Sequence, residues 1–222
     1  LDGPIYPKGL LAWTDRHPEL ADLLVEDKRP RDVVASYIEL VERFADRGVP
    51  LVGFVKNGGS KAITRILRRR ERAPWSDDAA LFKRVLRRTD EDGETLTDQL
   101  TFTNWFVSRC GVDRPLSAAA DALGLERERN PEDYEVTFFC VFDPRDEILF
   151  RIEAPAVFTR DPDLREALTM QILRDVAHER GPPMAVAKAD ELARIARDEK
   201  AALIQAIERQ FDADRDRSYD DK

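Results

Sequence analysis

Three groups of residues in this chain have types and spacings that chemistry could use. The first is Val55-Lys56-Asn57-Gly58-Gly59-Ser60-Lys61, which reads as a strand end, a glycine turn and a helix start. The free N–H groups and dipole of a helix N-terminus bind anions, so this order suits a phosphate. It is not a nucleoside-triphosphate loop, because Gly59 stands where the pattern counted from Gly53 needs Lys. The second group is basic: Lys56, Lys61, Arg65, Arg68, Arg69, Arg70 and Arg72 against the single acidic residue Glu71. Lys61, Arg65, Arg68, Arg69 and Arg72 fall at i, i+4, i+7, i+8 and i+11, so one helix face carries them. Binding of a nucleic-acid backbone needs such a patch. A solvated face on an Arg-rich chain accounts for the same residues.

The third group is carboxylates. Metal-dependent phosphodiester hydrolysis uses two or more of them around Mg²⁺ or Mn²⁺. Asp2-Gly3 and Asp190-Glu191 are the candidates. Asp190 equally suits the N-cap of the last helix, with Glu191 favourable in the first turn. Asp2 equally suits a solvated terminus. Asp143, Asp146 and Glu147 also cluster, and a turn explains them.

Other reactive types add little. His17 and His178 are too far apart for a zinc pattern, and there is no HExxH. His178, before Gly181, fits a helix C-terminus, where a cation is favoured. Cys110 and Cys140 sit in apolar surroundings and are expected as reduced, buried thiols of a cytoplasmic protein. Trp13, Trp75 and Trp105 suit either base stacking or the core.

The elements that must position these groups follow from periodicity. Val33, Val34, Tyr37, Ile38, Val41 and Phe44 predict a helix over 31–47, ended by Gly48. Leu51 to Val55 reads as a buried strand, a helix begins near Ser60, and another covers 77–88. Residues 101–107 suit a strand. Val136 to Phe142 is apolar on both faces, as in a central strand. Asp143-Pro144-Arg145-Asp146 turns it into a partner in which Ile148, Phe150 and Ile152 alternate with Leu149, Arg151 and Glu153. Helices are expected over 162–179 and 190–211, in one domain over 1–211 with a polar tail at 212–222. The fold class expected is mixed α/β.

The whole chain bounds these readings. At 222 residues it is long enough to bury a core. Its formal net charge of -8 excludes a uniformly basic nucleic-acid binder and allows a local basic groove. Charge comes from 28 Arg against 8 Lys and 26 Asp against 18 Glu, a bias that suits a GC-rich, salt-adapted organism. No apolar run approaches a membrane span, and no signal peptide is visible.

An ordered set of segments resembles the NurA family of DNA-repair nucleases. They are Leu1-Asp2-Gly3-Pro4-Ile5-Tyr6-Pro7, then Gly48-Val49-Pro50-Leu51-Val52-Gly53-Phe54-Val55-Lys56 followed by Ser60. The hairpin strands 136–142 and 148–153, ending in Arg151-Ile152-Glu153-Ala154-Pro155, come next. Last is Ala187-Lys188-Ala189-Asp190-Glu191-Leu192-Ala193. Order and spacing from 1 to about 210 carry the likeness, since no single motif is strong.

The resemblance implies an RNase H-like mixed sheet flanked by helices. It implies a Mn²⁺-dependent (or Mg²⁺-dependent) nuclease acting on single-stranded DNA and resecting ends. Members form homodimers and dock onto the hexameric HerA translocase. The family's second Asp-Gly motif falls on Asp2, which is expected as a metal ligand and catalytic residue. Its late His position falls on Asp190, expected in the same role through a hard oxygen. Its late Tyr position falls at about Pro182. The family's first acidic motif lies upstream of the Asp-Gly motif, so the chain is expected to be a C-terminal portion holding part of the metal site. Lys56, Lys61, Arg65, Arg68, Arg69 and Arg72 are the expected DNA-binding residues. The alternative is a non-catalytic DNA- or translocase-binding module that keeps the fold. A metabolic α/β enzyme is disfavoured by the lack of a cofactor fingerprint.

Overall fold

A computed structural model describes residues 1–6, 28–56, 59–70, 74–107 and 115–192 of the chain. The elements, in order, are α1 (Lys28–Asp46), β1 (Gly53–Val55), α2 (Ala62–Arg70), α3 (Asp78–Leu86), β2 (Thr101–Phe102), β3 (Phe106–Val107) and α4 (Pro115–Ala122). Then come β4 (Val136–Asp143), β5 (Ile148–Pro155), α5 (Pro162–Glu179) and α6 (Met184–Leu192), with short 3-10 turns at Pro131–Tyr134 and Ala156–Phe158. The mixed α/β class expected from the sequence is what the structure has. The chain divides into two compact units, residues 1–186 and 187–222. Among the described residues no helix is long and apolar enough to cross a membrane.

The β4–β5 hairpin is the centre of the sheet. β1 flanks β5, while β2 and β3 both flank β4, and every ladder is antiparallel. Thr101 and Phe102 pair with Phe142 and Val141, and Phe106 and Val107 with Phe138 and Thr137. The register slips by one residue between the two pairs, so the strand expected over 101–107 is broken by a bulge. The Thr103 hydroxyl accepts the Cys140 amide at 3.0 Å and covers part of that break.

Both faces of the hairpin are covered. Phe54, Phe139, Val141, Phe150 and Ile152 face Ile172 and Val176 of α5. Phe138, Cys140, Phe142 and Leu149 face Phe82 of α3. Val34, Ile38 and Val41 of α1, spaced i, i+4 and i+7, join Leu116 and Ala120 of α4 in a third cluster with Ile5 and Tyr6. Each Val, Leu, Ile or Phe among them contributes about 1.5–3 kcal/mol when fully buried. Cys140 is free and buried, and burial pushes its thiol up to about 12. It fits the expected reduced thiol, while Cys110 lies outside the described residues.

The turn after β4 does more than reverse the chain. Asp143 Oδ2 accepts Arg145 Nη2 at 2.6 Å, and Oδ1 accepts Arg145 Nε at 2.8 Å. Arg145 then donates to the Val176 and Ala177 carbonyls, both at 3.2 Å. Those carbonyls are among the last of α5, which lack helical partners, so one guanidinium ties the hairpin to that helix.

Residues 1–6 lie against β1. Asp2 pairs with Phe54 in a parallel bridge, with Gly3 N donating to Phe54 O at 2.9 Å and Phe54 N to Leu1 O at 3.0 Å. The passage is so close at Gly53 that an added Cβ would sit 2.7 Å from Ile5 N and 2.8 Å from Gly3 O. Both are backbone atoms and cannot swing away.

Two outcomes follow from this packing. Gly53→Ala should cost about 1–3 kcal/mol, read as a lower denaturant midpoint at unchanged slope. Burial would push the Asp143 carboxyl up, but the hydrogen bonds and charge of Arg145 hold it below its usual 3.8. The stability from a depressed carboxyl is present above that usual value and is lost as pH falls through the lower, folded value. Arg145→Ala should therefore cost about 1.5–3 kcal/mol at neutral pH. Its deficit should shrink below pH 3.8, as measured by denaturation across pH.

Candidate functional site

The C-terminal end of β1 carries the first charged pair. Asp2, held by the bridge to Phe54, places Oδ1 3.2 Å from Lys56 Nζ. Two residues far apart in sequence, Asp2 and Lys56, are thus brought together, and both keep about a quarter of their side chain exposed.

Beneath them lies a buried pair. Arg151 and Glu153 sit two apart on β5 and share a face, with Val55 and Gly53 opposite them on β1. Arg151 Nε donates to Glu153 Oε1 at 2.7 Å, and Ile5 N donates to Glu153 Oε2 at 3.2 Å. The Arg151 guanidinium carbon lies 3.6 Å from the centre of the Phe138 ring, a cation–π contact. Glu153 is fully buried and Arg151 nearly so. The alternation of Ile148, Phe150 and Ile152 suggests one wet face for this strand, and the structure buries both. No feature of the residue types marks Arg151 and Glu153 as buried, because i, i+2 charges on a strand more often face water.

The start of α2 corrects one expectation. Two of its N-terminal amides are already taken by a side chain. Asp78, from the first turn of α3, takes Thr64 N on Oδ1 at 2.8 Å, and Ile63 N and Ser60 Oγ on Oδ2 at 3.3 and 2.9 Å. The anion that satisfies this helix start is internal, supplied by a side chain that sequence reading passed over. Asn57 and Gly58 of the expected turn lie outside the described residues.

The basic face is present where it is described. Lys61 opens α2 by accepting Arg65 N, and Lys61, Arg65, Arg68 and Arg69 are all exposed. Ile63 packs towards the α3 side of the sheet, which turns this row outward. Arg68 donates to the Trp75 carbonyl at 2.7 Å. Arg72 lies outside the described residues. Trp105 has a core role: its ring packs 4.6 Å from that of Phe139, and its Nε1 donates to Thr169. His178 occupies the last turn of α5, as expected. Trp13 and His17 are outside the described residues.

Asp190 is not an N-cap. It falls inside α6, which starts at Met184, so its backbone is helical well past the first turn. The start expected at 190 was misplaced because Met184 to Ala189 carries little charge to mark a boundary. The Asp190 side chain is outside the described residues.

A divalent ion implied by the resemblance can be tested against these donors. Asp2 offers a hard oxygen at an accessible strand end, already balanced by an ammonium, so it suits one ligand position. Among the described residues no group of three or more His, Cys, Asp or Glu could hold a metal ion. The described donors are therefore one ligand and not a complete site.

Comparison with known proteins gives one match. A family model of the NurA domain matches residues 1–195. No curated protein matches, and no solved structure matches. The matched stretch runs from the Asp2 bridge through the hairpin and α6, which is most of the chain, and this chain belongs to the NurA family of nucleases involved in DNA repair.

Proposed function

We propose that the chain is a metal-dependent deoxyribonuclease acting on single-stranded DNA and resected ends in double-strand break repair. The observation that carries this reading is the placement of Asp2. Glu153 and Gly53 seat residues 1–6 so that the Asp2 carboxylate reaches the β1 end beside Lys56, on a chain where Lys61 and three arginines of α2 are exposed cations. Asp2 and Asp190 are the proposed ligands and catalytic residues. Each would offer a hard oxygen to Mn²⁺ or Mg²⁺, an ion that would supply activation of water and neutralisation of charge at phosphorus.

The chain's own groups do the rest. Lys56 brings a cation to any phosphate that reaches Asp2. Lys61, Arg65, Arg68 and Arg69, with Arg72, draw the strand in by neutralising phosphates at positions outside the reacting one. Acidic charge elsewhere on the chain limits adhesion to that face. In this reading the protein works in the cytoplasm as a homodimer with a HerA-type hexameric translocase that feeds it DNA.

Degradation of labelled single-stranded DNA in Mn²⁺ tests the reading. Asp2→Ala and Asp190→Ala should each lower the rate by more than the roughly 10–100-fold typical of an outer-shell change. Binding without cleavage in any divalent metal would instead favour the non-catalytic module. A second measurement concerns the basic face. Arg65→Glu with Arg69→Glu should weaken DNA binding and flatten its salt dependence by about 0.7 per lost phosphate contact on single strands.

A further inference from the structure

A cavity of about 350 Å³ lies on the α3 face of the sheet, lined by Lys56, Lys83, Phe82, Ile148, Leu149 and Arg151 among others. Its size suits one small ligand and not a passing strand. The polar groups that could compete for an anion are already used. Glu153 takes Arg151 Nε on one oxygen and the Ile5 amide on the other, Asp2 pairs with Lys56, and Asp78 is bound to the start of α2. Among the described residues, Arg151 Nη1 and Nη2 make no hydrogen bond, although the side chain is more than nine-tenths buried. Neither is sealed from solvent, since among the described residues the sealed side-chain nitrogen or oxygen without a partner is Tyr6 Oη. Arg151 is also immobilised, with Nε held by Glu153 and its plane against Phe138. A planar fork fixed in this way matches two phosphate oxygens, and Lys83 adds a point charge on the α3 wall.

We propose that this cavity binds the terminal nucleotide of a DNA strand through its phosphomonoester. Arg151 Nη1 and Nη2 and Lys83 Nζ take the phosphate. Phe82, Ile148 and Leu149 form the apolar wall against sugar and base. A monoester suits the site better than an internal diester because it carries the second negative charge and a free set of oxygens. Lys56 is shared between this cavity and Asp2, so a seated end lies next to the proposed ligand Asp2. The assignment rests on the chain being a DNA-acting nuclease, and it concerns how that site selects an end.

The test measures binding by the full chain in EDTA, where cleavage does not intervene. The probes are one oligonucleotide with a 5′ phosphate, one with a 3′ phosphate, one with neither, and free dTMP. One phosphorylated end should bind about tenfold more tightly than the hydroxyl-ended strand. That ratio should fall to about one in Lys83→Ala and in Ile148→Trp, which fills the cavity from its rim. Arg151→Lys, which keeps a cation for Glu153 and loses the fork, should also lose the preference. A ratio of one in the unaltered chain, or a ratio that survives Lys83→Ala and Ile148→Trp in folded protein, overturns the proposal. Tight dTMP binding with no preference between strand ends also overturns it and assigns the cavity to a free nucleotide. A chain that prefers phosphorylated ends but never cleaves fails only as a nuclease. A chain that cleaves without end preference fails only here.

Discussion

Glu153 is a carboxylate with no access to water, and the seating of Arg151 and of residues 1–6 depends on how it is satisfied. Burying a charge costs several kcal/mol unless partners replace its hydration. Here one oxygen takes Arg151 and the other takes the Ile5 amide. The first contact fixes a guanidinium inside the sheet. The second draws residues 1–6 over β1, at the one strand position where glycine leaves room for them. Asp2 reaches Lys56 only because the chain passes there. A single buried carboxylate thus links the core, the cavity and the proposed cleavage end.

A second carboxylate divides the basic surface from the interior. Asp78 is nearly buried and closes the start of α2 from the neighbouring helix. With the Ile63 and Thr64 amides taken by Asp78, what α2 offers DNA is chiefly its side chains. Those are long, exposed cations, suited to sequence-independent contact with a backbone. The helix is held to the sheet by Ile63 and by the Asp78 cap, so its charged row keeps a fixed direction. Charge attraction and chemistry are therefore assigned to different parts of the same unit.

The Asp143–Arg145 clamp shows the same economy in the turn. The sequence Asp-Pro-Arg-Asp is enough to predict a reversal. It does not reveal that Arg145 goes on to cap two carbonyls of α5. The helix over Phe150 and Ile152 is therefore anchored at its end by a residue of the hairpin it covers.

Much of this was legible without coordinates. Helical spacing of Val34, Ile38 and Val41 gave α1, the Pro-containing turn gave the hairpin, and the ordered segments gave the family. These are local properties, set by periodicity and turn chemistry within a few residues. Asp2 and the basic row of α2 were also visible, as residue types at a spacing. What the sequence could not decide is which charges are inside. Nothing in the residue types marks Arg151, Glu153 and Asp78 as buried, and α6 begins earlier than Asp190 suggests. Their burial comes from partners 14 to 148 positions away, namely Thr64 for Asp78 and Ile5 for Glu153. Hydrophobic and turn patterns are written along the chain, whereas the satisfaction of a buried charge exists only once distant segments meet.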